Sequence, residues 1–191
     1  NASGLYSFDG YAPGSYTVRV VNSSVLSSRS GASVANVGVQ TFRTVASTGT
    51  AVADAARVGG ETPSLPDAAV NNGVQTLAAL TTASATPQSL APVTLAATSI
   101  TGIDFGFNFD TIVNVNDAGQ GSFRMFLNNA ASMTNGGLAQ VGQTAGVEAS
   151  IFMISDGLVH NGLRAGLPNL LASGVARIAV LSTLPWLSDA S

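Results

Sequence analysis

The one histidine of the chain, His160, follows Asp156 by four residues in "SDGLVHNG", with Ser155 beside that aspartate. These are the residue types of a nucleophilic triad, where a base takes a hydroxyl proton and a carboxylate fixes its tautomer. The surrounding Gly- and Asn-rich stretch carries no nucleophile elbow, so the residues favour a solvated loop histidine. Paired carboxylates are the second chemistry. Asp104 and Asp110 share a strand face, but six residues of strand separate them by roughly 20 Å. A glycoside hydrolase pair stands about 5–9.5 Å apart. "NVNDAGQG" (Asn114–Gly121) is rich in oxygen ligands, yet lacks the further acidic ligand and the distal bidentate Glu of a calcium loop. Asn and Asp side chains bonding their own backbone are expected there. "GQGS" before a helix can cradle phosphate, but it is neither G-x-x-x-x-G-K nor a full G-x-G-x-x-G after a strand. Arg124 is therefore expected to meet a carboxylate or a carbonyl. No catalytic, cofactor-binding or metal-binding residue is assigned, and no cofactor is expected.

Composition narrows the classes further. The chain has 191 residues, a net charge of -3, only 9% charged residues, and no Lys beside its seven Arg. Such a chain offers no basic field to a phosphate backbone, and nucleic acid is not an expected partner. With 46% hydrophobic residues a substantial core is within reach. The absence of Cys removes disulfides, thiolate metal sites and cysteine nucleophiles together. The absence of Lys removes Schiff bases and Lys–Asn isopeptide cross-links, so whatever holds the chain is non-covalent. Its longest apolar stretch, Leu170–Leu187, is interrupted by Gly174, Arg177 and Pro185. A membrane helix needs roughly 20 apolar residues, so no membrane span is expected. With Asn at position 1 and no signal peptide, a processed piece of a longer export product is the expectation.

The elements that must position these side chains read mainly as strands. In "GLYSFDGYAPGSYTVRVV" (Gly4–Val21), Tyr6 and Phe8 share a face, as do Tyr16, Val18 and Val20, across a Pro13-Gly14 turn. That spacing predicts a hairpin. "ASVANVGVQTFRTV" alternates, with the phase slipping between Val34 and Val37 and between Val39 and Phe42, which predicts bulges or two strands. Residues 51–98, rich in Ala, Thr, Ser and Pro, read as long ordered loops with one short helix near Ala51–Arg57. The clearest strand is "GIDFGFNFD", with Ile103, Phe105, Phe107 and Phe109 on one face. Four such groups, at about 1.5–3 kcal/mol each, are expected to close a core. Ile112 and Val113 read as a strand. Ser122 can cap a helix through Met133, with Phe123, Phe126, Leu127 and Ala130 at helical spacing and Gly136-Gly137 ending it. "ASIFMIS" and "VARIAVLS" read as strands buried on both faces. Gly157–Gly174 between them reads as a loop with a helical turn at Leu167–Ala172.

Two families meet in these residues. "NASGLYSFDGYAPGSYTVRV" resembles the G-Y-x-F … L-x-P-G-x-Y-x-V half of Cna protein B-type (prealbumin-like) surface domains, and "GIDFGFNFDTIVN" resembles their closing strand. "IVNVNDAGQGSFRMFLNNA" resembles the N-D-x-G-x-G-S-L-R entry segment of exported bacterial proteins with a CSLREA-like right-handed parallel β-helix. "IAVLSTLPWLSDAS" is similar to the first rung strand of that class. The likeness covers roughly residues 1–45 and 100–191. Phe123 stands where the family prefers Leu, and Met125-Phe126 where it prefers smaller residues. In a bacterial product the sequons at Asn1 and Asn22 are chance matches.

The resulting expectation is an all-β chain. Residues 1–111 form a partial Ig/prealbumin-like β-sandwich with long loops, and residues 112–191 a β-helix-like unit with one capping α-helix. The resemblance implies a non-enzymatic, extracellular protein, secreted or at the bacterial cell surface. It is read as part of a surface adhesin, or as a subunit of a self-assembling fibre or matrix. Its expected partners are copies of itself, through head-to-tail strand addition or end stacking, or the rest of a larger precursor. The alternatives are a fragment of a β-helix polysaccharide lyase or hydrolase, and a carbohydrate-binding adhesin module using Trp186 and surface tyrosines.

Overall fold

The computed structural model describes residues 4–65 and 89–187. Strand exceeds helix, 22% to 8%, in a mainly β chain whose sheets do not close among the described residues. The strands are β1 (Gly14–Arg19), β2 (Val39–Val45), β3 (Val52–Asp54), β4 (Leu90–Leu95), β5 (Phe105–Asn108), β6 (Thr111–Ile112) and β7 (Ile151–Phe152). Among the described residues the α-helix is α1 (Phe123–Ser132).

The β-branched run of β2 makes it the centre of an antiparallel sheet ordered β3-β2-β5. Its pairing with β5 shifts register between Gln40 and Phe42, where the sequence changes phase. The extra residue turns Phe42 outward and Arg43 inward. β1 pairs antiparallel with β4, Gly14 opposite Leu95 and Arg19 opposite Leu90. Ala46, just past β2, bridges to Val93 of β4, so the two sheets touch. β6 and β7 run parallel, Thr111 opposite Ile151, and α1 lies in the crossover between them.

Several expectations are corrected here. Tyr6 and Phe8 do not form the first arm of a hairpin. Gly4 and Gly10 adopt positive φ, which breaks an extended run, and β1 takes Leu90–Leu95 as its partner instead. That partner lies in the stretch read as loops, most of which (66–88) is outside the described residues. Ala51–Arg57 holds β3 rather than a helix, because Val52 pairs with Val45 and Asp54 is drawn to Arg43 at 2.9 Å. The β5 face is only half-buried, from Phe105 to Phe109, and closes no core. α1 ends at Met133, whose extended backbone stops the helix before Gly136 is reached. β7 is not buried on both faces, since Phe152 is 53% exposed. "VARIAVLS" forms no strand; its Val175, Val180 and Leu181 lie exposed, and only Ala172 and Val175 bridge, across a Ser173-Gly174 turn. Leu167–Ala172 is not helical, because Asn169 bridges back to Asp156.

Two kinds of core result. The apolar one joins Ile112 to Phe126, Leu127 and Ala130 of α1, with Phe123, Ile154 and Leu184 packed against it. Ser122 caps α1 as expected, its Oγ accepting the Met125 amide at 3.1 Å. The polar core consists of side-chain amides. Asn129 Nδ2 donates to the carbonyls of Val37 (3.1 Å) and Phe109 (2.8 Å), Gln120 to Gly38 (2.7 Å), and Asn114 to Pro63 and Gln120 (2.9 Å each). Two glycines let backbones approach where these parts meet. At φ +83°, a side chain on Gly31 would overlap the Ser132 carbonyl, and at φ +72° one on Gly121 would run into Val113. Residues before and after position 111 thus share one set of buried bonds.

Candidate functional site

His160 and Asp156 do meet, Nε2 to Oδ1 at 2.9 Å, on an exposed loop. The Leu158 amide, followed by His160, holds the Asp156 carboxyl below its ordinary range. Ser155 is buried and its hydroxyl accepts the Gly157 amide at 3.1 Å, turning it to the backbone rather than to His160. Asp104 is exposed while Asp110 is buried, so the two do not share an environment.

The "NVNDAGQG" turn is occupied by its own side chains. Asn114 Oδ1 accepts the Asn116 amide at 3.2 Å, and Asn116 Nδ2 donates to Ser64 at 3.1 Å. Asp117 accepts from Arg124 at 2.7 Å and from the Leu181 amide at 3.1 Å, and the Arg124 bond leads in lowering its pKa. Arg124 also donates to the carbonyls of Asp117, Ser182 and Thr183, at 3.1, 2.8 and 2.6 Å. It therefore meets both a carboxylate and carbonyls, and pins the segment at 181–183 onto α1. Among the described residues no group of three or more His, Asp or Glu could hold a metal ion. Asn22 is fully buried, its Oδ1 accepting from Ser89 at 2.7 Å, which hides that sequon in the folded chain; Asn1 lies outside the described residues.

Sequence reasoning missed a buried charged site at the cleft. Arg29, on the loop before β2, donates to Asp110 (3.2 Å), to both oxygens of Glu148 (2.6 and 3.2 Å), to Asn135 (2.8 Å) and to the carbonyl of Thr134 (3.1 Å). Asp110 is 1% exposed, and Gln140 donates to its second oxygen. Burial, then the neighbouring Glu148, push the Asp110 carboxyl up to about 7, against the opposing pull of Arg29. The cluster borders a cleft of about 480 Å³ that Val25, Leu26, Phe107, Phe109 and Leu138 also line. Chemically, the raised Asp110 carboxyl is the group here that can keep a proton closer to neutrality than an ordinary carboxyl. Its members stand 119 and 81 residues from Arg29, and no local pattern connects them.

The second feature is open sheet edges beside exposed apolar side chains. Among the described residues β1, β3 and β5 each pair on one side only, and β6 and β7 pair only with each other. Tyr6, Phe8, Tyr11 and Tyr16 run ring to ring, with centroids 5.6, 6.4 and 5.4 Å apart, and the first three are exposed. At the other end of the chain Leu181, Trp186 (88%) and Leu187 are exposed. Comparison with family models, curated proteins and solved structures finds no match.

Proposed function

We propose that this chain is a non-enzymatic extracellular structural protein of bacterial origin, part of a surface adhesin or a self-assembling fibre, whose copies join by strand addition. The observation that supports this reading is that, among the described residues, the sheets are unclosed and β1, β3 and β5 each leave one side unpaired. A strand edge presents N–H and C=O groups that a second chain can satisfy, with alternate side chains setting register. Edges are ordinarily protected by Lys, and this chain has none. Burying exposed rings such as Phe8 and Tyr11 on contact adds apolar driving force. A head-to-tail contact of this kind repeats into an open filament rather than closing on a dimer. In this reading residues 1–111 act as the incomplete β-sandwich and 112–191 as the start of a β-helix under the cap of α1. The experiment is light scattering across concentration, joined to electron microscopy. Growing filaments support the reading, and a folded monomer at high concentration overturns it.

The exposed aromatic run favours a second reading, a carbohydrate-binding adhesin module. Glycan binding that is lost in Tyr11→Ala, without filaments, would select it.

A further inference from the structure

One wall of the 480 Å³ cleft, Gly137–Gln140, belongs to a long loop spanning residues 134–148. Its shape is kept by its own backbone. The Leu138 amide bonds Asn135 (3.0 Å), Gly146 bonds Leu138 (2.8 Å), Gln143 bonds Gln140 (3.0 Å) and Val147 bonds Thr144 (3.2 Å). Its residues from 141 to 147 are exposed. A compact loop of this length, held at few points, is a unit able to move as one.

Its side-chain ties to the rest of the molecule converge on one place. At the start, Asn135 accepts from Arg29, and the Thr134 amide bonds the Ser30 carbonyl. In the middle, Gln140 donates to Asp110 and accepts from Asn108 of β5 at 3.3 Å. At the end, Glu148 accepts from Arg29. One Arg29 nitrogen serves Asp110 and Glu148 together, at 3.2 Å each, so the two carboxyls are neighbours. With both ionised the cluster carries one uncompensated negative charge in a site where charge is poorly solvated. With one proton it is neutral.

We propose that residues 134–148 form a strap across the cleft, latched by one proton on Asp110 where it faces Glu148 and released when that proton leaves. The groups facing Asp110 are Arg29 from the loop before β2, Glu148 and Gln140 from the strap, and Asn108 from β5; Arg29 and Glu148 are the charged ones. A carboxyl whose pKa is raised by folding stabilises the closed form fully below the ordinary carboxylate value. That stabilisation is lost as pH rises toward about 7. The strap gives way before the sheets, because its ties are these polar contacts and a backbone bond at its stem. When it lifts, the cleft wall at Phe107 and Phe109 is uncovered.

The test is amide hydrogen exchange of the full chain at pH 5 and pH 8, corrected for the intrinsic rate at each pH. Exchange of the Thr134 amide, whose bond to the Ser30 carbonyl breaks when the strap lifts, is expected to rise about tenfold or more at the higher pH, while the β1–β4 amides hold their protection. Asp110→Asn, which leaves Arg29 balanced by Glu148 alone, should remove the difference, and Glu148→Gln should do the same. Equal protection of the Thr134 amide at the two pH values in the unmodified chain overturns the proposal, whatever the variants do. So does a rise spread evenly over the whole chain, or one that persists in a folded Asp110→Asn variant.

Discussion

One face of α1 buries Phe126, Leu127 and Ala130 against Ile112, an apolar set that excludes water from the crossover between β6 and β7. Around β2 the buried set is mixed, with Val37, Val39 and Ala46 beside Asn36, Gln40 and Arg43. Both regions support short strands, of two residues in β6 and β7 and three in β3. The means differ. Apolar packing is non-directional and holds α1 in place by exclusion of water. A buried amide or guanidinium is directional, and satisfies the backbone of an irregular segment that no strand reaches. Arg43 shows the second mode, at 3% exposure. It bonds Asp54 at 2.9 Å, Glu61 at 2.5 Å and the carbonyl of Leu90, tying β2, β3, the 57–61 turn and β4 to one side chain.

The largest expected effect attacks the apolar end. Phe126→Asp with Leu127→Asp places two charges where neither finds a partner, at a cost of about 5 kcal/mol or more. Denaturant unfolding should show loss of the 112–187 region or aggregation, and an unchanged midpoint would mean that α1 does not pack there. Arg43→Ala comes next, with an expected loss of about 3 kcal/mol. It leaves Asp54 and Glu61 facing one another with Arg57, at 3.3 and 3.4 Å, as their remaining ion-pair partner among the described residues. Replacing Asp54 with Asn in the same chain should return part of that loss; a double variant weaker than Arg43→Ala alone would show that charge is not the cause. Smaller again is Asn129→Ala, at about 2 kcal/mol. It strips donors from the Val37 and Phe109 carbonyls and an acceptor from Asn36. If the cost falls near zero, the polar end is held by something other than its amides.

The same contrast explains what could be read in advance. α1 was legible to its cap, because Ser122 and the spacing of Phe123, Phe126, Leu127 and Ala130 are local signals. The bulge in β2 was legible as a change of phase at Val39–Phe42. Partnership was not legible. Tyr16 and Val18 announce a strand but not that Leu90–Leu95, more than seventy residues on, completes it. The "VARIAVLS" run misleads because apolarity alone does not entail burial. Asp117 and Arg124 instead hold the backbone at 181–183, and its valines stay exposed. The Arg29 cluster was the least legible of all. Its members are scattered singly through loops, and only the tertiary fold gives Asp110 a neighbour in Glu148.

The smallest effect is expected at the site whose residue types first suggested chemistry. His160 and Asp156 make a surface tie at 2.9 Å on a loop that leaves the imidazole half-exposed. Solvent screens such a pair, and each partner is rehydrated when the other is removed. His160→Ala leaves the Leu158 amide still bonded to Asp156 at 2.9 Å, so the turn keeps its internal support. Asp156→Asn retains an oxygen able to accept that amide. Neither change touches the cores around α1 or β2, and the unfolding midpoint should stay where it is, as measured by circular dichroism against denaturant. The same two variants test the non-enzymatic reading independently of stability. A purified chain with hydrolytic activity that either substitution removes, at an unmoved midpoint, would make this loop a working site and overturn it. A midpoint lowered by either change would instead make the 155–160 turn a third structural tie, beside the apolar and amide cores.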